Sequence, residues 1–101
     1  MAMTCHLVVR PTEACRRIIE RRLATKRDEA LEGALWGAVL LVQGPVAEIL
    51  AAVDVATKAA PVVAGEVVGN CPQQINTVAF IGAVSDVKMA LAALKEWGDV
   101  K

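Results

Sequence analysis

The residues of this chain with the clearest capacity for chemistry lie in one short segment that carries a single thiol, Gly69-Asn70-Cys71-Pro72-Gln73-Gln74. Gly, Asn and Pro favour turns, and the segment stands between two apolar, β-branched stretches, 62–68 and 75–82. The sequence therefore predicts that Cys71 lies at an exposed tip, where a thiolate can meet a metal or solvent. An iron–sulfur cluster commonly takes about four thiolates, so a cluster here requires that identical loops from several chains meet on a symmetry axis.

The other reactive side chains predict no catalytic site. Cys5 and Cys15 fall on the predicted core faces of their elements, where small thiols are commonly buried and inert. The three cysteines lack the paired spacings of a zinc site or a disulfide framework. His6 is the one histidine, and no Ser, Cys or carboxylate stands where it would suggest a triad. Gly-rich phosphate-binding fingerprints are absent as well, so the sequence favours a protein that is not an enzyme.

Composition predicts a single domain over residues 1–101 that assembles into an oligomer. Hydrophobic residues make up 55% of the chain but aromatic residues only 3%, so the apolar surface is mostly aliphatic and favours further burial between subunits. The formal net charge is zero, and we expect neither nucleic acid nor an anionic membrane as a partner. The longest apolar run, 33–42, is far shorter than the ~20 residues of a membrane span. No leader pattern is visible at Met1, so we expect a cytoplasmic protein.

The apolar pattern predicts seven elements in the order β-α-β-α-β-β-α, typical of an α/β domain with helices packed on one sheet. Thr12 is a suitable N-cap for the first helix, Gly44-Pro45 opens the second with Pro at its first position, and Ser85 caps the third. The charged stretch 24–32 is interpreted as a linker. The predicted elements are strands over 4–9, 35–42, 62–68 and 75–82, and helices over 13–23 (with Cys15, Ile18, Ile19 and Leu23 on one face), 45–60 and 85–97.

Several segments resemble, in their joint order, the shell proteins of bacterial microcompartments, the BMC-domain family. Residues 35–48 and 54–60 look like the first strand and helix of the family, and 81–87 look like its later strand and the turn into its second long helix. Residues 6–11 are similar to the strand that usually closes the domain, with its Arg-Pro ending. The resemblance implies a ferredoxin-like α+β fold, a structural function in a microcompartment shell, and other shell proteins as partners. It also implies that Arg10 and Lys58 lie at the edge of a shell tile.

In this chain the closing strand comes first, so the sequence resembles a circularly permuted shell domain. Placing residues 4–23 after Trp97 would restore the usual order, with 24–32 as the linker between the old ends and 33–97 as the domain body. The pore-loop residues Gly69, Asn70, Cys71, Pro72 and Gln73 resemble the pore motif of permuted shell proteins from glycyl-radical propanediol microcompartments. That resemblance implies a homohexamer whose central pore holds an iron–sulfur cluster on Cys71. A [4Fe–4S] cluster, one per hexamer, is the natural stoichiometry.

Two alternatives to the cluster-binding tile remain open at this point. In the first, the chain is a plain shell tile in which Asn70 and Cys71 merely shape a pore for small metabolites. In the second, it is a small ligand-sensing or regulatory domain that binds a metabolite between subunits. We also expect no additional small barrel over the pore, because almost nothing precedes Thr4.

Overall fold

The order of elements follows the predicted alternation throughout the residues that the computed structural model describes, 3–23, 33–68 and 75–98. These elements are β1 (Thr4–Val9), α1 (Glu13–Arg22), β2 (Ala38–Pro45), α2 (Val46–Ala59), β3 (Val63–Val67), β4 (Ile75–Gly82) and α3 (Val84–Trp97). The predicted α/β class, with helices packed on one sheet, is confirmed.

The four strands form one antiparallel sheet in the order β1-β2-β4-β3. At one end of the sheet Pro45 pairs with Ile75 and Gln43 with Thr77, and we call this the loop end. At the other end Ala38 pairs with both Val9 and Gly82, and we call this the far end. Because β3 runs toward the loop end and β4 runs away from it, the β3–β4 connection, 69–74, leaves and re-enters the sheet there.

The first face of the sheet carries the larger core, which α2 and α3 cover. Alternate residues of β2 and β4 point to this face, and Phe80 is its largest fully buried side chain. The helices contribute alanines at the contact, and a small side chain there lets a helix lie close to the sheet. The buried side chains of this layer include Leu40, Val42, Val78, Ile49, Ala52, Ala56, Val87, Ala90 and Leu94.

The second face of the sheet is covered in part by α1. Ile19 is the buried residue of this helix and packs in a cluster with Val39, Ala79 and Ile81. Thr12 is the N-cap, as predicted, because its Oγ1 accepts a hydrogen bond from the Cys15 N–H over 3.2 Å. The helix therefore begins at its own sequence signal, and Ile19 is its one buried side chain against the sheet.

A second contact of α1 involves an aromatic ring rather than the sheet. The Arg16 guanidinium lies 5.0 Å from the centre of the Trp36 ring, in the range of a cation–π interaction. The same group forms an ion pair with Glu20, with 3.1 Å between Nε and Oε1. Arg16 and Glu20 thus form an intrahelical ion pair at a spacing of four residues, which is typical of a solvated helix face.

Four local predictions were wrong. The second strand spans Ala38–Pro45 rather than 35–42, and Pro45 is its last residue and the N-cap of α2 rather than the first helical residue. Ala83, with extended backbone, caps α3, so Ser85 lies inside the helix and makes no capping bond. Ile18 is exposed, because neighbouring residues of an α-helix point about 100° apart and the inward side follows the spacing of Cys15, Ile19 and Leu23.

Candidate functional site

The predicted pore loop, Gly69, Asn70, Cys71, Pro72 and Gln73, lies outside the described residues. The structure does describe the residues on either side of the loop, which we call its bases. Val68 precedes the segment and Ile75 follows it, both at the loop end of the sheet. Val67 pairs with Thr77 across the two strands, so the segment starts and finishes on adjacent antiparallel strands. The exposed turn that the sequence predicts for these residues therefore stays a prediction.

The base of this loop is tied to the N-terminal part of the chain. The Val68 N–H donates a hydrogen bond to the Arg22 carbonyl over 2.6 Å, and Leu23 forms an isolated antiparallel bridge with Val67. Sequence reasoning missed this contact, and no side-chain signal could have revealed it, because both partners use backbone groups. The end of α1 therefore fixes the position from which the loop departs.

Polar side chains of β2 and β4 lie near the bases of the loop. Gln43 Nε2 donates to Thr77 Oγ1 over 3.0 Å, and the Thr77 N–H donates to Asn76 Oδ1 over 2.9 Å. Both contacts lie at the loop end, where β2 and β4 finish pairing. The loop thus departs from a surface with hydrogen-bonding capacity, in contrast to the wholly apolar middle of the two strands.

Arg10 and Lys58, the predicted tile-edge residues, both lie at the far end. Arg10 directly follows β1, and its N–H donates to the Gly37 carbonyl over 2.8 Å. Lys58 is in the last turn of α2, with Nζ 2.8 Å from Asp54 Oδ2, and the side chains are 74% and 64% exposed. A pair so exposed contributes little to stability, so the Lys58 ammonium remains available to another partner.

The placed cysteines offer no metal site within one chain. Cys5 packs against the core under α2 and α3, and Cys15 packs against the cluster under α1, so the two thiols are on opposite faces of the sheet. Within 3–23, 33–68 and 75–98, no three His, Cys, Asp or Glu side chains come close enough to share a metal ion. The prediction that both thiols fall on core-facing sides is confirmed, although each is only partly buried.

A shallow groove between α2 and β3 is one cavity that bears on the ligand-sensing alternative. Its volume is about 260 Å³, and Leu50, Val53 and Ala64 form much of its wall. Among the described residues that line it, Glu66 is the only charged one. Metabolite sites usually combine an apolar wall with several convergent polar groups, so this groove is poorly equipped to orient one.

The comparison with protein families identifies the class of protein to which this fold belongs. The family model of the BMC domain matches residues 31–101, so the chain belongs to the BMC-domain family. It is therefore a structural protein of a microcompartment shell in the cytoplasm and not an enzyme. None of the helices in the described part of the chain is long and apolar enough to cross a membrane.

A comparison with solved structures finds a similar shell protein. The chain is similar to the ligand-free GrpU microcompartment shell protein from Pectobacterium wasabiae, with a TM-score of 0.69 and 25% sequence identity. The alignment covers 87% of this chain and 94% of that one. A comparison with curated proteins finds no significant match.

Proposed function

We propose that this protein is a circularly permuted shell tile that forms a homohexamer around a central pore lined by residues 69–74. One observation carries the proposal: the bases of the loop lie at one end of the sheet, and Arg10 and Lys58 lie at the other. A tile needs this separation, because residues that line an axis and residues that meet neighbouring tiles must be on opposite sides of each subunit. Other shell proteins are then the partners at the edge.

The permutation is supported by the way the residues at its proposed junction approach each other. The family model matches 31–101 and leaves β1 and α1 outside the matched range. A Cβ atom at Gly98, just after α3, would lie 3.3 Å from Met3 Cε, just before β1. The residue that follows the last helix thus lies close to the residue that precedes the first strand. Moving 4–23 to a position after Trp97 would join neighbours without changing their packing.

We further propose that Cys71 is the ligand of an iron–sulfur cluster on the hexamer axis. Cys5 and Cys15 are held in separate apolar clusters, so Cys71 is the thiol that remains for such a role. Six copies around an axis exceed the roughly four thiolates that a [4Fe–4S] cluster takes, so one cluster per hexamer breaks the symmetry or leaves thiols free. When bound, the cluster would supply one-electron redox capacity at the pore. Gly69 and Pro72 would hold the turn that presents the thiol.

The test is anaerobic reconstitution followed by iron and sulfide analysis and by light scattering on the same samples. We expect a hexamer with one cluster, and a Cys71→Ser variant that stays hexameric but binds no iron. Cys5→Ser and Cys15→Ser are matched controls that keep both properties. Equal iron and sulfide in Cys71→Ser and wild type would leave the plain metabolite pore as the function. A monomer at micromolar concentration would remove the pore altogether.

The edge residues have a separate test. Lys58→Ala should leave the hexamer intact and weaken the association of hexamers into flat sheets, which electron microscopy and sedimentation measure. If Lys58→Ala dissolved the hexamer instead, Lys58 would belong to the interface within the tile.

A further inference from the structure

The backbone at Arg10 is in a conformation that its sequence does not favour. Its φ angle is 52°, in the left-handed region, and it is the one non-glycine among the described residues with positive φ. Residues with a Cβ are disfavoured there, because the Cβ comes too close to the following carbonyl oxygen. Arg10 also precedes Pro11, and the residue before proline normally adopts extended backbone. Something in the structure must therefore hold this residue.

The restraint comes from Gly37, which is itself tightly packed. The Gly37 carbonyl accepts the Arg10 N–H over 2.8 Å. A Cβ atom at Gly37 would lie 3.1 Å from both the Gly82 oxygen and the Val84 nitrogen, and 3.2 Å from the Ala83 Cα. All three are backbone atoms of the turn between β4 and α3, which cannot move aside as the end of a flexible side chain can. Only glycine allows this approach without displacing one of the two segments.

We propose that Gly37 is a positioning residue for Arg10. It lies on the β4–α3 turn, and its carbonyl holds Arg10 in the left-handed conformation that turns the chain out of β1 at the far end. The guanidinium is thereby presented in a preset direction, at a cost in backbone strain that an edge contact between tiles would offset. The proposal rests on the proposed role of Arg10 at the tile edge, and it adds a residue that acts there without touching the neighbouring tile.

A double-mutant cycle on sheet assembly tests this positioning. The variants are Arg10→Ala, Gly37→Ala and the double substitution, each first confirmed as a hexamer, and the measurement is the concentration at which half of the hexamers enter sheets. We expect each single substitution to raise that concentration about tenfold, which corresponds to about 1.4 kcal/mol. The double variant should need the same concentration for half-assembly as Arg10→Ala alone, because Gly37 acts through Arg10. Gly98→Ala is the matched control, since its added Cβ meets only the flexible end of Met3 closely, and it should assemble as wild type.

The other outcomes overturn the proposal in distinguishable ways. Wild-type assembly by Gly37→Ala, or an additive loss in the double variant, means that Gly37 does not act through Arg10. Normal assembly by Arg10→Ala refutes the proposed edge role of Arg10 and the positioning with it. Should Gly37→Ala fail to fold, hydrogen exchange in the wild-type hexamer decides. Protection of the Arg10 amide at least tenfold beyond that of exposed amides supports the restraint, and exchange at the exposed rate refutes it.

Discussion

Replacing Ile19 by alanine tests how α1 is attached to the sheet. Ile19 is 7% exposed and lies against Val39, Ala79 and Ile81, whereas Ile18 beside it is 46% exposed. The substitution removes three carbons, worth roughly 0.8 kcal/mol each when buried, plus a term for the cavity that remains. We expect Ile19→Ala to lower the free energy of unfolding by about 2–3 kcal/mol.

Ile18→Ala is the control, because it changes the same residue type at the next position of the same helix. Its side chain is nearly half exposed, so its loss should cost less than about 1 kcal/mol. Urea unfolding at equal protomer concentration measures both, since the stability of an oligomer depends on concentration. Equal losses for the two variants would mean that Ile18 is covered in the assembly. A loss below about 1 kcal/mol for Ile19→Ala would refute the docking of α1 on this face.

Three further substitutions address separate parts of the fold. Thr12→Ala removes the N-cap bond to the Cys15 N–H and should cost about 1 kcal/mol in urea unfolding, with Thr57→Ala as an exposed comparison inside a helix. Phe80→Ala empties the centre of the larger core and should cost about 3–5 kcal/mol, so a loss under about 2 kcal/mol would contradict its full burial. Arg16→Ala removes the contact with Trp36 and should cost about 0.5–1 kcal/mol while altering Trp36 fluorescence in a Trp97→Phe background; unchanged emission would argue against the contact.

The order and type of the elements were predictable because each depends on local periodicity. The alternation of side chains between two faces predicted β1, and the helical spacing of Val87, Ala90 and Leu94 predicted α3. Thr12 indicated the start of α1. The error at Pro45 arose where a local signal competes with strand pairing. Gly44-Pro45 favours a helix start, but the ladder to β4 continues through Pro45, which pairs with Ile75, and tertiary pairing prevailed over the local preference.

The candidate site was predictable only in part, because several of its contacts join backbone groups that are distant in sequence. Arg10 and Lys58 were named from their flanking residues, and both lie exposed at the far end. The left-handed conformation of Arg10 gives no sequence signal, since glycine or asparagine would be expected there. The close approach of Gly37 to the β4–α3 turn likewise depends on where the folded chain returns, which periodicity does not encode.

The N-terminal segment that contains β1 and α1 contacts both ends of the sheet, which face the pore and the edge in the proposed tile. At the far end the Arg10 N–H is bound to the Gly37 carbonyl, and at the loop end the Arg22 carbonyl is bound to the Val68 N–H. Between these two bonds, Ile19 holds α1 on the second face of the sheet. Because both bonds join groups that are close in the folded domain, the proposed permutation of this segment to the front of the chain would leave them in place. On this proposal the connectivity of the domain changes while the residues proposed for the edge and the pore keep their positions.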